Sequence, residues 1–389
     1  MQIIEVSDAK TAKEFLRLPV TLYKNEPSWI RPLDKDINRV FDPAQNKTFR
    51  NGECIRWILL NESGKTIGRI AAFVNQKTAN KDNDQPTGGV GFFECIDDQT
   101  AADLLFETGR TWLAERGMEA MDGPINFGNR DAWWGLLVDG FDREPNYQCN
   151  YHFPYYQKLF ESYGFKMYFK QYTFGRNTFD PLDARLHEKA DKANEDKDYS
   201  FRHIEKNKLK KYVEDFRQVY NAAWASHPGV PQMNAAQAMT LFKKMKPVMD
   251  EKIIWFGYYK DEPVGFYINI PELNQVFKHV NGKLNVWGKL IFLYHKILKT
   301  NKKMMGVVFG ISPAHQGKGV DGALIMATRV MVQEKYKRYP LLEMNWIGDF
   351  NPKMIRVVEQ VGGDVVKTHH TYRYLFDRTK EFVRMPIKG

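Results

Sequence analysis

Cysteine is scarce in this chain of 389 residues, which contains Cys54, Cys95 and Cys149 and no CxxC pair. An odd, scattered set of cysteines argues against a disulfide framework and a structural zinc site. No stretch approaches the ~20 consecutive apolar residues that a transmembrane helix requires. The first residues show no basic patch followed by an apolar run, so we expect no secretory signal and a cytoplasmic protein.

Acidic residues are few in the second half of the chain. Residues 1–200 contain 26 Lys and Arg against 31 Asp and Glu, whereas residues 201–389 contain 31 against 16. The two halves therefore carry formal charges of −5 and +15. A basic half favours an anionic partner, which could be a phosphorylated cofactor, a nucleic acid or an acidic membrane surface.

The order of predicted elements indicates two domains. Apolar residues make up 43% of the chain and aromatic residues 14%, enough for substantial cores. A polar, charge-rich stretch predicts a linker at 179–198 between domains at 1–178 and 199–389. Strands and helices alternate in both halves in a loosely repeated order. We therefore predict an α/β (mixed α+β) duplicated fold, each domain a mixed central sheet with helices on both faces.

The segment from Gly306 to Ala323, GVVFGISPAHQGKGVDGA, combines an apolar strand, a glycine-rich turn and a helix start. Gly317 and Gly319 lack Cβ atoms, so an anion can approach the backbone N–H groups, and the helix start attracts it. A Walker A loop is excluded because Ser312 and Gly319 replace its first Gly and its Ser/Thr. A dinucleotide-binding GxGxxG is disfavoured because five residues separate the strand from the glycines.

This segment resembles the acyl-CoA-binding element of the GNAT superfamily of N-acetyltransferases, a strand followed by [RQ]xxGx[GA] and a helix. The match is QGKGVD at 316–321, where Asp321 departs from the small residue of the family pattern. The stretch from Asn351 to Gly362 resembles the family's N-x(10)-G helix. PSWIRPLDKDINRVFDP, MDGPINFGNRDAWWGLLVDGF, VYNAAWASHPGVP and NIPELNQ resemble a family of bacterial two-domain GNAT proteins.

The resemblance implies an acyl-CoA-dependent N-acyltransferase, expected to transfer acetyl groups to an unidentified small amine without a metal. It implies that acetyl-CoA or another acyl-CoA contacts a set of residues in the second domain. They are Val308, Phe309, Gly310, Gln316, Gly317, Lys318, Gly319, Val320, Asp321, Gly322 and Asn351. Within this set, the backbone of residues 308–310 would polarise the thioester carbonyl.

Two residues are candidates for proton transfer. Glu343, in the predicted strand LLEMNWI, is the candidate base that deprotonates the amine. The superfamily often places a Tyr acid about four residues before the Gly that closes its last helix, but Val358 stands there. Tyr372 is the candidate substitute.

The corresponding segment of the first domain is unsuited to CoA. Between strand and helix it carries Glu94, Asp97 and Asp98 and no glycine, so its charges would repel a diphosphate. We expect Asp98 or Thr100 to cap the helix. The domain is either a degenerate copy kept for packing or a contributor to the acceptor pocket through MDGPINFGNRDAWWG and CNYHFPYY.

A basic insertion at about 273–303 has three interpretations. We favour a helix that covers the sheet and keeps its lysines in water; the others are an amphipathic helix on an anionic membrane and a nucleic-acid contact. For the whole protein, the alternatives are an acyl-CoA-binding protein without catalysis and a Fem-like aminoacyl transferase that uses charged tRNA. The favoured function needs no nucleic acid, and the sequence leaves the oligomeric state open.

Overall fold

The computed structural model describes residues 1–81, 83–128, 130–224 and 232–387. The segment VYNAAWASHPGVP therefore lies partly outside the described residues, and so does Asn129 of MDGPINFGNRDAWWG. Within the described ranges, no helix is both long and apolar enough to cross a bilayer.

The first half of the chain alternates strands and helices. In chain order they are β1 (Gln2–Glu5), α1 (Ala9–Leu22), α2 (Asp34–Val40), β2 (Gly52–Leu60), β3 (Thr66–Asn75), β4 (Thr87–Cys95), α3 (Gln99–Ala114), β5 (Ala120–Gly123), β6 (Leu136–Asp139), α4 (Tyr155–Tyr163), β7 (Lys166–Asn177) and α5 (Ala184–Glu195). Asp98 caps α3 by accepting a hydrogen bond from the Ala101 N–H, which confirms one of the two predicted caps.

The second half repeats the pattern with additional helices. In chain order they are β8 (Tyr199–His203), α6 (Leu209–Trp224), α7 (Ala235–Met245), β9 (Ile254–Tyr259), β10 (Glu262–Pro271), α8 (Asn274–Phe277), α9 (Val286–Ile297), β11 (Lys303–Ile311), α10 (Val320–Val330), β12 (Leu341–Gly348), α11 (Pro352–Gln360) and β13 (Asp364–Leu375). The predicted linker contains α5, which packs on α10.

The sheet topology shows the duplication directly. Strands β1 to β4 pair antiparallel in succession, and β4 then pairs parallel with β5. Strands β8 to β11 also pair antiparallel in succession, and β11 pairs parallel with β12. In each half a helix follows the fourth strand and leads to the fifth, as a parallel crossover requires. The mixed α/β fold with an internal repeat is confirmed.

The two halves exchange their last long strands. From the first half, β7 pairs with β12, while β13 of the second half lies between β5 and β7. The sheet is therefore continuous across the predicted linker, and the boundaries at 178 and 199 do not separate it. Pairing two strands of 12 residues removes the exposed edge that each half would otherwise have.

Candidate functional site

The strands β11 and β12 part half-way along their length. They pair from Lys303–Leu341 to Gly306–Met344, after which β11 continues beside β10 and β12 beside β7. A cavity of about 430 Å³ opens between them, closed on one side by α10 and α11. We call this cavity the cleft. The edge of β11 that faces it has no strand partner among the described residues after Gly306.

The cleft is lined mainly by apolar and aromatic side chains. They are Trp224, Tyr267, Val307, Val308, Phe309, Ile325, Met344, Trp346, Ile347, Phe350, Met354, Val357, Val358 and Val361. Of the predicted contact residues, Val308 and Phe309 lie here, and Asn351 lines the cleft while capping α11 at the Met354 N–H. Gly310 instead faces the ring of Trp224. No carboxylate or imidazole belongs to the described lining.

The glycine-rich turn stands at the start of α10. Gly317 and Gly319 have φ of +73° and +86°, the left-handed conformation that favours glycine. Gly319 occupies the N-cap position, and no side chain caps the helix there. Gln316 donates from Nε2 to the Ile311 carbonyl oxygen, and Lys318 is exposed. The turn therefore presents uncapped N–H groups and a positive charge, the chemistry of an anion site.

Helix α5 covers one side of this turn. A Cβ on Gly319 would lie 2.0 Å from the Lys189 carbonyl oxygen, and one on Gly322 would lie 2.9 Å from the Leu186 carbonyl oxygen. The missing Cβ atoms of these two glycines therefore leave room for helix α5 rather than for a phosphate. Val320 is buried beneath them. Gly317 remains open, with no atom within 4 Å of its Cβ position.

Helix α5 of the predicted linker also brings positive charge to the glycine-rich turn. The sequence of the linker did not predict this contact. Lys189 Nζ lies 2.9 Å from Asp321 Oδ2 and neutralises the carboxylate that departs from the family pattern. Lys192 Nζ lies 3.5 Å from the Gly317 carbonyl oxygen. Helix α5 buries three residues at i, i+4 and i+7, which are Leu186, Ala190 and Ala193. This apolar spacing in the sequence could have predicted a helix packed against the protein.

Comparisons with known proteins identify the architecture. No family model matches the chain. The bacterial ceramide synthase of Caulobacter vibrioides is 26% identical over 378 residues, 96% of this chain and 97% of that protein. Protein YghO of Escherichia coli is 22% identical over 367 residues, 92% of each. A solved tandem GNAT protein from the clavulanic acid biosynthesis pathway matches with a TM-score of 0.53 and 11% identity, covering 97% of this chain and 99% of that one. The chain has the tandem GNAT fold.

Glu343 lies outside the cleft of this GNAT fold, in a buried ionic cluster. Its carboxylate accepts hydrogen bonds from Lys303 Nζ at 2.7 Å, Lys367 Nζ at 2.8 Å and Asn146 Nδ2 at 2.7 Å. Burial alone would raise the pKa of Glu343, but the Lys367 and Lys303 ammonium groups outweigh it and lower the pKa to about 2. A carboxylate so paired is a poor proton acceptor. This geometry favours a structural role for Glu343 over the predicted role as base.

Tyr372 belongs to the first half of the GNAT sheet and not to the cleft. It lies on β13 opposite Gly123 of β5 and is fully buried, and its ring packs beside Phe160. Its hydroxyl donates to Glu161 Oε1 at 2.9 Å, and burial raises its pKa above the ordinary value. The predicted role as acid is not supported, because the strand exchange carries this residue away from β11.

In the first GNAT repeat the corresponding space is reduced to a cavity of about 40 Å³, lined in part by Phe93 and Glu94 of β4 and by Pro124. Where β4 and β5 part, the Ile125 N–H donates to the Val90 carbonyl oxygen at 2.8 Å, and a Cβ on Gly91 would lie 1.8 Å from the Ile125 carbonyl oxygen. Glu94 is buried and accepts hydrogen bonds from Tyr23 and Tyr156. Backbone and polar contacts thus fill most of the space that the second repeat leaves open.

A second cavity, of about 350 Å³, adjoins the cleft on the side of the first repeat and shares Arg130 and Phe350 with it. Asn126, Phe127, Gly128 and Trp134 of the segment MDGPINFGNRDAWWG line it. Buried Asn126 Oδ1 and Trp134 Nε1 have no hydrogen-bond partner among the described residues. Such orphaned polar atoms favour a ligand with its own donors and acceptors.

Proposed function

We propose that this protein is an acyl-CoA-dependent N-acyltransferase that holds the thioester in the cleft and transfers the acyl group to an amine. The observation that carries the proposal is the parting of β11 and β12 beside the uncapped start of α10. This arrangement joins an apolar channel, a free strand edge and an anion site, and these match the acyl chain, the pantetheine amides and the diphosphate of the donor.

In this proposal the diphosphate lies at the open side of the turn, against the N–H groups that follow Gly317. Lys318 and Lys192 supply positive charge there. The pantetheine arm runs along the free edge of β11, and the backbone N–H groups near Val308 and Phe309 polarise the thioester carbonyl. The acceptor nitrogen attacks the carbonyl carbon, the C–S bond breaks, and CoA leaves as its thiol while the amine loses a proton.

The described cleft offers no side-chain base, because Glu343 is paired elsewhere and the lining contains no carboxylate or imidazole. The proton therefore leaves the amine through water and ends on the sulfur of the departing CoA. The reactive species is then the neutral amine, whose fraction rises with pH up to the amine's own pKa. We expect the rate to follow that rise without an added break from a protein carboxylate or histidine.

We further propose that the acyl chain is long and the acceptor carries its own hydrocarbon. The apolar lining extends from β11 to α11, far more than an acetyl group contacts. The relative named bacterial ceramide synthase supports the same class, since a ceramide is the amide of a long-chain amino alcohol. The acceptor would use the second cavity, which Asn126 lines and where its unpartnered amide is the candidate hydrogen-bond partner of the hydroxyl or amine.

The test supplies palmitoyl-CoA or acetyl-CoA with sphinganine and measures thiol release and the amide by mass spectrometry. We expect turnover with palmitoyl-CoA to exceed that with acetyl-CoA. Val357→Trp narrows the cleft at an exposed position of α11 and lowers turnover with palmitoyl-CoA more than with acetyl-CoA. Val365→Trp, an exposed valine outside the lining, is the matched control. If Val357→Trp lowered turnover equally with both donors, or left amide formation unchanged, the acyl chain would have to bind outside the cleft.

Asn126→Leu separates the acceptor site from the donor site. If the second cavity binds the acceptor, this change raises KM for the amine about tenfold or more, because a hydrogen bond is lost in a buried site. KM for the acyl-CoA stays the same. An unchanged KM for sphinganine would remove the second cavity from the proposal.

A further inference from the structure

Helix α9 exposes a continuous apolar face. Seven large side chains each keep between 49 and 74% of their surface exposed, and they are Val286, Trp287, Leu290, Leu293, Tyr294, Ile297 and Leu298. At 100° per residue they span about 140° of the helix circumference. The lysines lie in water as expected, but large apolar side chains share the outer face of the helix, which the expectation of a helix that merely covers the sheet did not include.

The opposite face of α9 fixes the helix to the protein. Phe292 packs against Phe277, and the rings of His295 and His279 stack at 4.1 Å. Ile291 joins the same cluster, and Asn285 caps the helix at the Gly288 N–H. The apolar face thus stands on an anchored helix and does not result from a frayed segment.

Positive charge lies along one edge of this face, where Lys289 and Lys296 fall at 100° per residue. No acidic residue occurs from Leu273 to Val320, and the segment around α9 carries exposed lysines. They are Lys283, Lys289, Lys296, Lys299 and Lys302. An apolar stripe with Trp and Tyr, bordered by lysines, is the composition of a helix that lies in an anionic bilayer interface.

We propose that α9 docks this protein onto the surface of a membrane containing anionic lipids. Its 12 residues rise only about 18 Å, too short to span the hydrocarbon core, so the helix lies in the membrane plane. The apolar face enters the interface and the lysines contact lipid phosphates. A nucleic acid would leave the apolar face uncovered. A second copy docked through the same face would bring the two lysine sets together without acidic partners.

This proposal does not rest on the acyl-transfer function, and its test uses no enzyme assay. The full-length protein is sedimented with vesicles of phosphatidylcholine mixed with phosphatidylglycerol, and with vesicles of phosphatidylcholine alone. We expect binding to the anionic vesicles, weaker binding to the neutral ones, and a decline with salt. Wild-type protein that stays in the supernatant with anionic vesicles would overturn the proposal.

Substitutions locate the contact. Leu290→Glu combined with Ile297→Glu lowers vesicle affinity at least about tenfold, because two charges would enter the interface. Leu241→Glu, at an exposed apolar position of α7, is the matched control and leaves binding unchanged. Lys289→Gln and Lys299→Gln each weaken binding to anionic vesicles about fivefold.

Light scattering distinguishes the rival occupant. A dimer that the Leu290→Glu and Ile297→Glu double variant dissociates, in a protein that does not bind vesicles, would assign the face to self-association and refute membrane docking. Vesicle binding that persists unchanged in this double variant, with the circular dichroism spectrum of the wild type, would refute the role of α9.

Discussion

Replacing Glu343 by Gln tests whether this residue acts in catalysis or in stability. The carboxylate lies between Lys303 and Lys367, at 2.7 and 2.8 Å, and the three side chains are only 3–8% exposed. Removing the charge leaves two buried ammonium groups without their anion, which destabilises proteins by about 3–5 kcal/mol. The two ammonium groups lower the pKa of Glu343 from 4.5 to about 2 against the effect of burial, while burial lowers the pKa of Lys367.

The assay is urea unfolding of the wild type, Glu343→Gln and the control Glu119→Gln. Glu119 pairs with Lys380 at 2.6 Å, but both side chains are about half exposed, so we expect a loss below about 1 kcal/mol. The native pKa of Glu343 is depressed, so its stabilisation is complete above the unfolded value of 4.5 and is lost as the pH falls toward 2. The gap between wild type and Glu343→Gln therefore narrows over that window.

A Glu343→Gln variant that keeps the wild-type free energy of unfolding within about 0.5 kcal/mol while losing acyl transfer would contradict a structural role for Glu343. That pair of results would restore the basic role predicted from the sequence. A large stability loss that is equal at pH 7 and pH 3 would contradict the origin of the pKa shift.

Two further predictions concern helix α5 and the exchanged strand. The methyl group of Gly319→Ala would clash with the Lys189 carbonyl oxygen. The control is Gly317→Ala, because Gly317 also has a positive φ but has open space around its Cβ position. In urea titrations we expect Gly319→Ala to lower the free energy of unfolding by about 1–3 kcal/mol more than Gly317→Ala does. Equal losses of stability in the two variants would show that α5 does not pack against Gly319. Arg373→Met removes the partner of partly buried Asp122, at 2.7 and 2.9 Å, and destabilises by about 3 kcal/mol, the lower end of the range for a fully buried pair. Adding Asp122→Leu restores most of that loss if β13 pairs with β5 as described, and no recovery would contradict the exchange.

The features that the sequence could predict depend on residues that lie close together in the chain. The apolar strand, the glycine turn and the helix start lie within 18 residues, so short-range spacing alone puts Val308 and Gly317 near one another. The repeated element order predicted the duplication in the same way. Asp98 as a cap followed from its position before an apolar helix.

Long-range pairings account for the features that the sequence could not predict. Lys303 and Lys367 lie 40 and 24 residues from Glu343, and nothing in their neighbourhoods marks them as its partners. The exchange of β7 and β13 moved Tyr372 into the other repeat, because strand order depends on pairing that periodicity does not encode. Periodicity showed that α9 has an apolar face but not whether that face meets the protein or the solvent.

The most direct test of the acyl-CoA site is a calorimetric titration of the protein with CoA. We predict one site per chain and loss of binding in Gly317→Asp, which places a carboxylate at the open side of the turn. Gly64→Asp is the matched control, since Gly64 has the same φ of +73° and the same open surroundings in a turn far along the chain. Binding that survives Gly317→Asp, or no binding by the wild type, would contradict an acyl-CoA site between β11 and β12.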